Sequence, residues 1–135
     1  MNEPHPRPTV LVVEDDPDNQ SLMVALLSAE YEVLLAATGA DARAHLANRE
    51  NDLSIVLMDL ALRGAEDGTS LTRHIRERFR ERHLPVIVTT AFALNRDRRA
   101  ALDAGCDAFL AKPIEPDELL GVMTSLLGRC PGRRS

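Results

Sequence analysis

Ile55-Val56-Leu57-Met58 is an unbroken apolar run that stops at a carboxylate, Asp59. A run of this length between polar residues fits a strand buried on both faces, the kind found in a parallel sheet covered by helices. Residues 9–13 have the same form and stop at Glu14-Asp15-Asp16. Residues 85–90 end in two hydroxyls, Thr89 and Thr90, and residues 107–111 end at Lys112-Pro113. Residues 31–35 form a shorter fifth candidate strand.

Helical patterns separate these runs. Asp16 is placed to cap a helix over residues 17–29, with Pro17 in the first turn and Leu22, Leu26 and Ala29 on the inner face. Thr38-Gly39-Ala40-Asp41 opens a second helix, marked by Ala42, His45 and Leu46, and residues 48–52 form a loop. After Asp59 an irregular connection over residues 60–67 closes at Gly68. Leu71, Ile75 and Phe79 recur at steps of four in a third helix over residues 69–80. A basic, Ala-rich fourth helix covers residues 95–104, with Gly105 as its left-handed cap. The fifth starts at Glu115-Pro116 and carries Leu119, Leu120, Met123, Leu126 and Leu127 up to Gly128.

Five strands alternating with five helices predict an α/β doubly wound parallel sheet with right-handed crossovers and helices on both faces. The flavodoxin-like order 2-1-3-4-5 fits five strands and makes the first and third neighbours at the switch point. Residues 1–8, with three prolines, read as a flexible arm, residues 9–128 as one domain, and residues 129–135 as a short tail.

Composition narrows the function. A chain of 135 residues holds one core, and 44% apolar residues are ordinary for a globular domain. Aromatics make up only 3%, and the net charge is −5, so neither stacking platforms nor a basic footprint favours direct nucleic-acid binding. No apolar run approaches the roughly 20 residues that span a bilayer. The first eight residues lack the apolar centre of a signal peptide, which points to the cytoplasm. Cys106 and Cys130 are too few and too far apart for a disulfide framework or zinc site. Cys106 reads as a small buried apolar residue and Cys130 as a tail thiol, and the scattered histidines show no metal-ligand spacing. The arginines between Arg73 and Arg82 alternate with Glu77 and Glu81, the pattern of a solvated face with i,i+4 pairs.

Under this strand order Glu14, Asp15 and Asp59 meet in one crevice outside the strand carboxyl ends. Converging carboxylates repel unless a cation sits among them, and oxygen-only donors that leave room for water and phosphate suit Mg²⁺. Thr90 supplies a hydroxyl and Lys112 an ammonium, both able to bind phosphoryl oxygens. These residues suit attack by the Asp59 carboxylate on phosphorus, with Mg²⁺ and Lys112 neutralising the equatorial oxygens.

With its motifs Val10-Leu11-Val12-Val13-Glu14-Asp15-Asp16, Leu57-Met58-Asp59, Val88-Thr89-Thr90-Ala91-Phe92-Ala93 and Ala111-Lys112-Pro113, the chain resembles the response-regulator receiver domains of two-component signalling over residues 8–128. The resemblance implies that Asp59 is the phosphoacceptor, Asp15 a direct Mg²⁺ ligand and Glu14 a ligand mainly through water. It implies that the backbone carbonyl of Ala61 binds the metal and that Lys112 pairs with the phosphorylated aspartate. Thr90, rather than Thr89, falls at the switch hydroxyl, and Phe109 at the switch aromatic. Phosphorylation would draw Thr90 inward, let Phe109 rotate in, and change the surface of the fourth helix, fifth strand and fifth helix. Phe109 has no hydroxyl, so its rotation is expected to be a packing event only.

Some positions depart from the family pattern. Arg63 stands where many members have proline, and Gly68 lies nine residues after Asp59 where many have glycine at eight, so Glu66 and Asp67 sit in a lengthened loop. Ala61 and Phe92 occupy the positions that influence hydrolysis, and neither side chain can orient a water, which predicts a long-lived phosphoryl group.

The expected function is a stand-alone receiver, a phosphoacceptor rather than an enzyme. Its partners would be a sensor histidine kinase or histidine phosphotransfer protein and a downstream protein, with the chain a monomer or weak homodimer. A Mg²⁺-dependent aspartyl-phosphate phosphohydrolase is an alternative, although Ala61 cannot serve as the general acid such enzymes carry. A constitutive pseudo-receiver is another. A histidine phosphotransfer bundle is contradicted by the β-rich runs.

Overall fold

The computed structural model describes residues 7–49, 52–60, 68–91 and 95–128. Strands β1 (Thr9–Val13), β2 (Glu32–Ala36), β3 (Leu53–Asp59), β4 (Val86–Thr90) and β5 (Ala108–Ala111) alternate with helices α1 (Pro17–Leu27), α2 (Gly39–Asn48), α3 (Gly68–Arg78), α4 (Asn95–Ala104) and α5 (Pro116–Gly128). All strand pairings are parallel, and the order is β2-β1-β3-β4-β5. The predicted architecture is the observed one.

The middle stretches of the central strands are apolar on both faces because each face meets helices. Leu11, Val13, Val56, Met58, Val86 and Val88 pack with Ala42 and Leu46 of α2, Leu71 and Ile75 of α3 and Ala101 of α4. On the other face Val10, Val12, Ile55, Leu57, Ile87 and Leu110 pack with Met23 and Leu27 of α1 and Leu119, Met123 and Leu126 of α5. Each large apolar side chain buried in this way contributes about 1.5–3 kcal/mol relative to exposure.

The sequence misplaces the inner face of α1. Met23 and Leu27 are buried, whereas Leu22 is 55% exposed, Leu26 is half-buried and Ala29 lies exposed beyond the helix end. The run Leu22-Met23-Val24-Ala25-Leu26-Leu27 is apolar around the whole helix, so its periodicity selects no face. The start is as expected: Asp16 Oδ2 accepts from the Asn19 amide at 3.1 Å, with Pro17 at the first position.

Strand β2 begins one residue later than expected and runs to Ala36. Arg7 donates to the Ser28 carbonyl and the Pro8 carbonyl accepts from Glu32 N at 2.9 Å, so the last two residues assigned to the arm are tied to the domain. Helix α3 stops at Arg78, and the predicted stripe holds: Leu71, Ile75 and Phe79 are all buried.

Arg73, Arg78, Arg80 and Arg82 are exposed, and Arg76 is the exception to the solvated reading of the arginine stretch. Its Nε donates to Gly105 O, its Nη1 to Leu84 O and its Nη2 to Asp107 Oδ2, each at 2.7 Å. Asp107 Oδ2 also accepts from Val86 N at 2.8 Å, and Asp107 Oδ1 lies 2.7 Å from His83 Nε2. Alternating charge in the sequence gives no sign of a guanidinium that reaches the turn after α4 and holds the starts of β4 and β5. Gly105 has φ +105°, with Gly105 N bonded to Leu102 O and Cys106 N to Ala101 O, which closes α4 in a Schellman turn. Cys106 packs against the core; burial, aided by the charge of Asp107, pushes its thiol pKa up.

Candidate functional site

Parallel pairing brings the carboxyl ends of β1, β3, β4 and β5 to one edge of the domain. β1 and β3 are neighbours, with Val13 opposite Met58, so the residues that follow them share the crevice at the switch point. Glu14 continues from β1, its amide bonded to Ala36 O at 2.9 Å and its carbonyl accepting from Gln20 Nε2 at 2.6 Å. Asp59 is the last residue of β3. One oxygen each from Glu14, Asp15 and Asp59 lies within 4.8 Å of the others.

Glu14 and Asp59 are each only 5% exposed, and Asp15 is half-buried. Lys112, placed just after β5, has its amide on Thr90 O at 2.8 Å. Its Nζ lies 3.0 Å from Glu14 Oε1 and 3.4 Å from Asp59 Oδ2. Burial raises the pKa of Glu14, helped by the charge of Asp59 and opposed by the Lys112 hydrogen bond. Burial acts to lower the pKa of Lys112, but the hydrogen bond to Glu14 and the charges of Asp59 and Glu14 outweigh it and leave the ammonium raised.

The donor set fits a hard divalent cation. Three ionised carboxylates and one ammonium leave two formal negative charges in a largely buried crevice, which one divalent ion balances. Oxygen donors alone, with one half-exposed, match an ion that keeps part of its water shell, as Mg²⁺ does.

Glu14, Asp15, Asp59 and Lys112, all singled out in the sequence, are therefore together. Thr90 ends β4, is 2% exposed, and lies on the same face of the sheet as Val86 and Val88. Phe109 pairs with Val88 across β4 and β5 and packs half-buried against that same core. Ala61, Phe92, Arg63, Glu66 and Asp67 fall outside the described residues.

Four features escaped the sequence reading. Thr89, set aside in favour of Thr90, stands opposite Asp59 in register. Together with Glu14, Asn19 and Lys112 it borders a mostly apolar cavity of about 140 Å³ between α1 and α5, lined also by Val12, Leu57, Met23 and Leu119. Lys112 is the only lysine in the chain, a signal that a count of residue types would have raised. A Cβ on Gly68 would lie 2.6 Å from Asp59 O and 3.0 Å from Leu60 Cα, so the glycine lets the head of α3 close on the end of β3. Finally, the Arg98 guanidinium lies over the Phe109 ring, 5.6 Å from its centroid.

Comparison with known proteins agrees with this geometry. Residues 10–124 match the response regulator receiver domain family. The chain is 38% identical over 122 residues to the transcriptional regulatory protein GltR of Pseudomonas aeruginosa, covering 90% of this chain but only about half of GltR, 49%. It is 34% identical over 121 residues to the polar-differentiation response regulator DivK of Brucella ovis, covering 89% of this chain and 96% of that protein. Among solved structures it is similar to the receiver domain of sensor histidine kinase PA1611 from Pseudomonas aeruginosa, with 38% identity, a TM-score of 0.79 and coverage of 90% and 98% of the two chains. That receiver was crystallised with a magnesium ion coordinated in its active-site cleft. A family match running from β1 into α5, over a fold whose strand ends gather three carboxylates and a lysine, makes this chain a member of the response regulator receiver domain family.

Proposed function

We propose that the domain is a phosphorylation switch in which Asp59 accepts a phosphoryl group from a phosphohistidine of a sensor kinase or histidine phosphotransfer protein. The observation that carries this reading is the convergence of Glu14, Asp15, Asp59 and the sole lysine at one sheet edge. An Asp59 carboxylate oxygen attacks phosphorus in line with the P–N bond of the donor. That bond breaks, its electron pair stays on the imidazole nitrogen, and a phosphohistidine protonated at its other ring nitrogen returns to neutral histidine as Asp59 becomes an acyl phosphate. Asp15 and Asp59 would hold Mg²⁺ with the Ala61 carbonyl, and Glu14 would act through water. The ion supplies charge neutralisation for the transferring oxygens when bound. Lys112, already 3.4 Å from Asp59, supplies a second cation to the product, and the Thr90 hydroxyl donates to a phosphoryl oxygen.

The mostly apolar cavity beside Lys112, with exposed Leu22 at its edge, would give the donor protein a place to bury an apolar side chain as its phosphohistidine approaches. The output is a changed α4–β5–α5 surface, produced as Thr90 moves inward and Phe109 rotates. Because Ala61 and Phe92 carry no group that orients water, the phosphoryl group is long-lived, and Ala61 equally disfavours a phosphohydrolase.

Intact mass after incubation with acetyl phosphate tests the reading. A single phosphoryl adduct that needs Mg²⁺, is absent in Asp59→Asn and persists well beyond seconds is expected. A folded protein that gains no adduct from acetyl phosphate or from a phosphorylated histidine kinase would leave the constitutive pseudo-receiver in its place.

A further inference from the structure

We propose that Arg98, through its stack on Phe109, is a positioning residue that sets the resting balance of the switch. The inference rests on the phosphorylation reading and adds to it a regulatory contact. Phe109 has no hydroxyl with which to be held at the surface by a hydrogen bond. It is nevertheless not held by packing alone. One side of the half-buried ring packs against the core beneath α4, and the guanidinium of Arg98, an exposed residue of α4, lies 5.6 Å from the ring centroid. A cation over an aromatic face is attracted by the negative face of the ring.

The contact is conditional on ring position. If Phe109 turns inward into space vacated by Thr90, which lies on the same sheet face, the ring leaves the guanidinium. Arg98 does not follow, because its charge would have to shed water in an apolar layer. The stack therefore exists in the resting arrangement and is lost in the switched one. Its breakage also frees an arginine on the α4–β5 surface, so ring rotation is read out as a change in surface charge as well as in packing.

Arg82 over Phe79, at 5.3 Å, is a natural control. It is the same kind of pair, but Phe79 follows α3 and Arg82 donates to Leu53 O at the start of β3, away from the strand carboxyl ends.

The test is ¹⁹F NMR of the full chain labelled with 4-fluorophenylalanine, titrated with beryllofluoride, a phosphoryl mimic, in Mg²⁺. The three phenylalanines give three resonances, assigned by Phe→Leu variants. Loss of an exposed cation–π contact predicts that Arg98→Gln lowers the beryllofluoride midpoint by about twofold to fivefold. Its free Phe109 resonance should lie part of the way toward the bound position. Arg98→Lys, which keeps a cation without the flat guanidinium, should fall between, and Arg82→Gln should match the unsubstituted chain. The midpoint decides, because removing a nearby charge shifts a resonance on its own. If the unsubstituted chain responds at Phe109 but Arg98→Gln has the same midpoint, the positioning role is wrong while the phosphorylation reading stands. If the unsubstituted chain gains the phosphoryl adduct by intact mass yet shows no response at any phenylalanine, the positioning role is overturned while the phosphorylation reading stands; if it gains no adduct, both are overturned.

Discussion

Replacing Gly68 and Gly121 separately with alanine should change stability in opposite directions, although both are helical glycines. In α5, a Cβ on Gly121 meets nothing within 4 Å. Gly121→Ala therefore gains the usual benefit of removing backbone freedom from the unfolded chain and should stabilise by about 0.5–1 kcal/mol. At Gly68 the same gain is available, but the new Cβ would sit 2.6 Å from Asp59 O, 3.0 Å from Leu60 Cα and 3.1 Å from Met58 Cγ. Two of these are backbone atoms, so no side-chain rotation relieves the clash. The residue's own amide is also tied to Leu60 O at 3.2 Å. Overpacking typically costs about 1–3 kcal/mol, and backbone contacts place this site toward the upper end. Subtracting the glycine gain leaves Gly68→Ala destabilised by about 2 kcal/mol. Urea unfolding of both variants beside the unsubstituted chain measures the difference, expected to be about 3 kcal/mol, and Tm should fall by roughly 5–10 °C for Gly68→Ala. The displaced atom is the carbonyl of Asp59, the proposed phosphoacceptor, so stabilisation by Mg²⁺ should weaken in the same variant. A Gly68→Ala protein as stable as the unsubstituted chain would show that α3 does not close on β3 as described.

Three further outcomes follow from the same geometry. Adding Mg²⁺ should raise Tm, by about 2.7 kcal/mol of stability at a hundred times Kd, and the increment should be smaller in Asp59→Asn at every Mg²⁺ concentration, as read by thermal unfolding. Asp107→Ala strips Val86 N and Arg76 of their shared acceptor and should cost about 2–4 kcal/mol in urea unfolding, whereas His83→Ala, 59% exposed at its side chain, should cost well under 1 kcal/mol. Isotope-labelled lysine gives a single side-chain NMR probe, Lys112, whose titration midpoint should lie above 10.5. A folded pKa raised over the unfolded one means that its stabilising contribution is complete below about pH 10 and is lost as the ammonium deprotonates above that. A midpoint at or below that of an exposed lysine would show that the carboxylates do not outweigh burial.

The sequence made the fold legible because each central strand carries an unbroken apolar run that stops at a polar residue, the pattern of a sheet covered on both faces. It made most of the acidic site legible for a related reason: once the order 2-1-3-4-5 is adopted, residues that follow β1 and β3 have nowhere to go but one crevice. The inner face of α1 was not legible, since Leu22 and Met23 are interchangeable to a periodicity argument and only the fit to β1 and β3 separates them. Arg76 was hidden differently. Its neighbours Glu77 and Glu81 suggest local ion pairs, yet its partners lie at Leu84, Gly105 and Asp107, up to 31 residues away, and no local pattern encodes them. Thr89 and Thr90 show the limit of reading two adjacent hydroxyls: strand alternation sends them to opposite faces, and a sequence does not say which face has the cavity.

The two ends of the sheet are built for different tasks. At the amino ends of β4 and β5, Asp107 takes Val86 N while Arg76 binds Asp107, Leu84 O and Gly105 O, so both strands are fixed to α3 by short, partly buried hydrogen bonds. At their carboxyl ends the chain bears Thr90, Phe109 and Lys112, where the Lys112 amide donates to Thr90 O and the side chains of Lys112 and Phe109 meet partners that carry charge. A strand clamped at its start and loaded with charge at its finish can shift only near the finish. On the phosphorylation reading, that asymmetry confines the change to the face where α4 meets β5, and the core between Val86 and Val88 need not repack for the switch to operate.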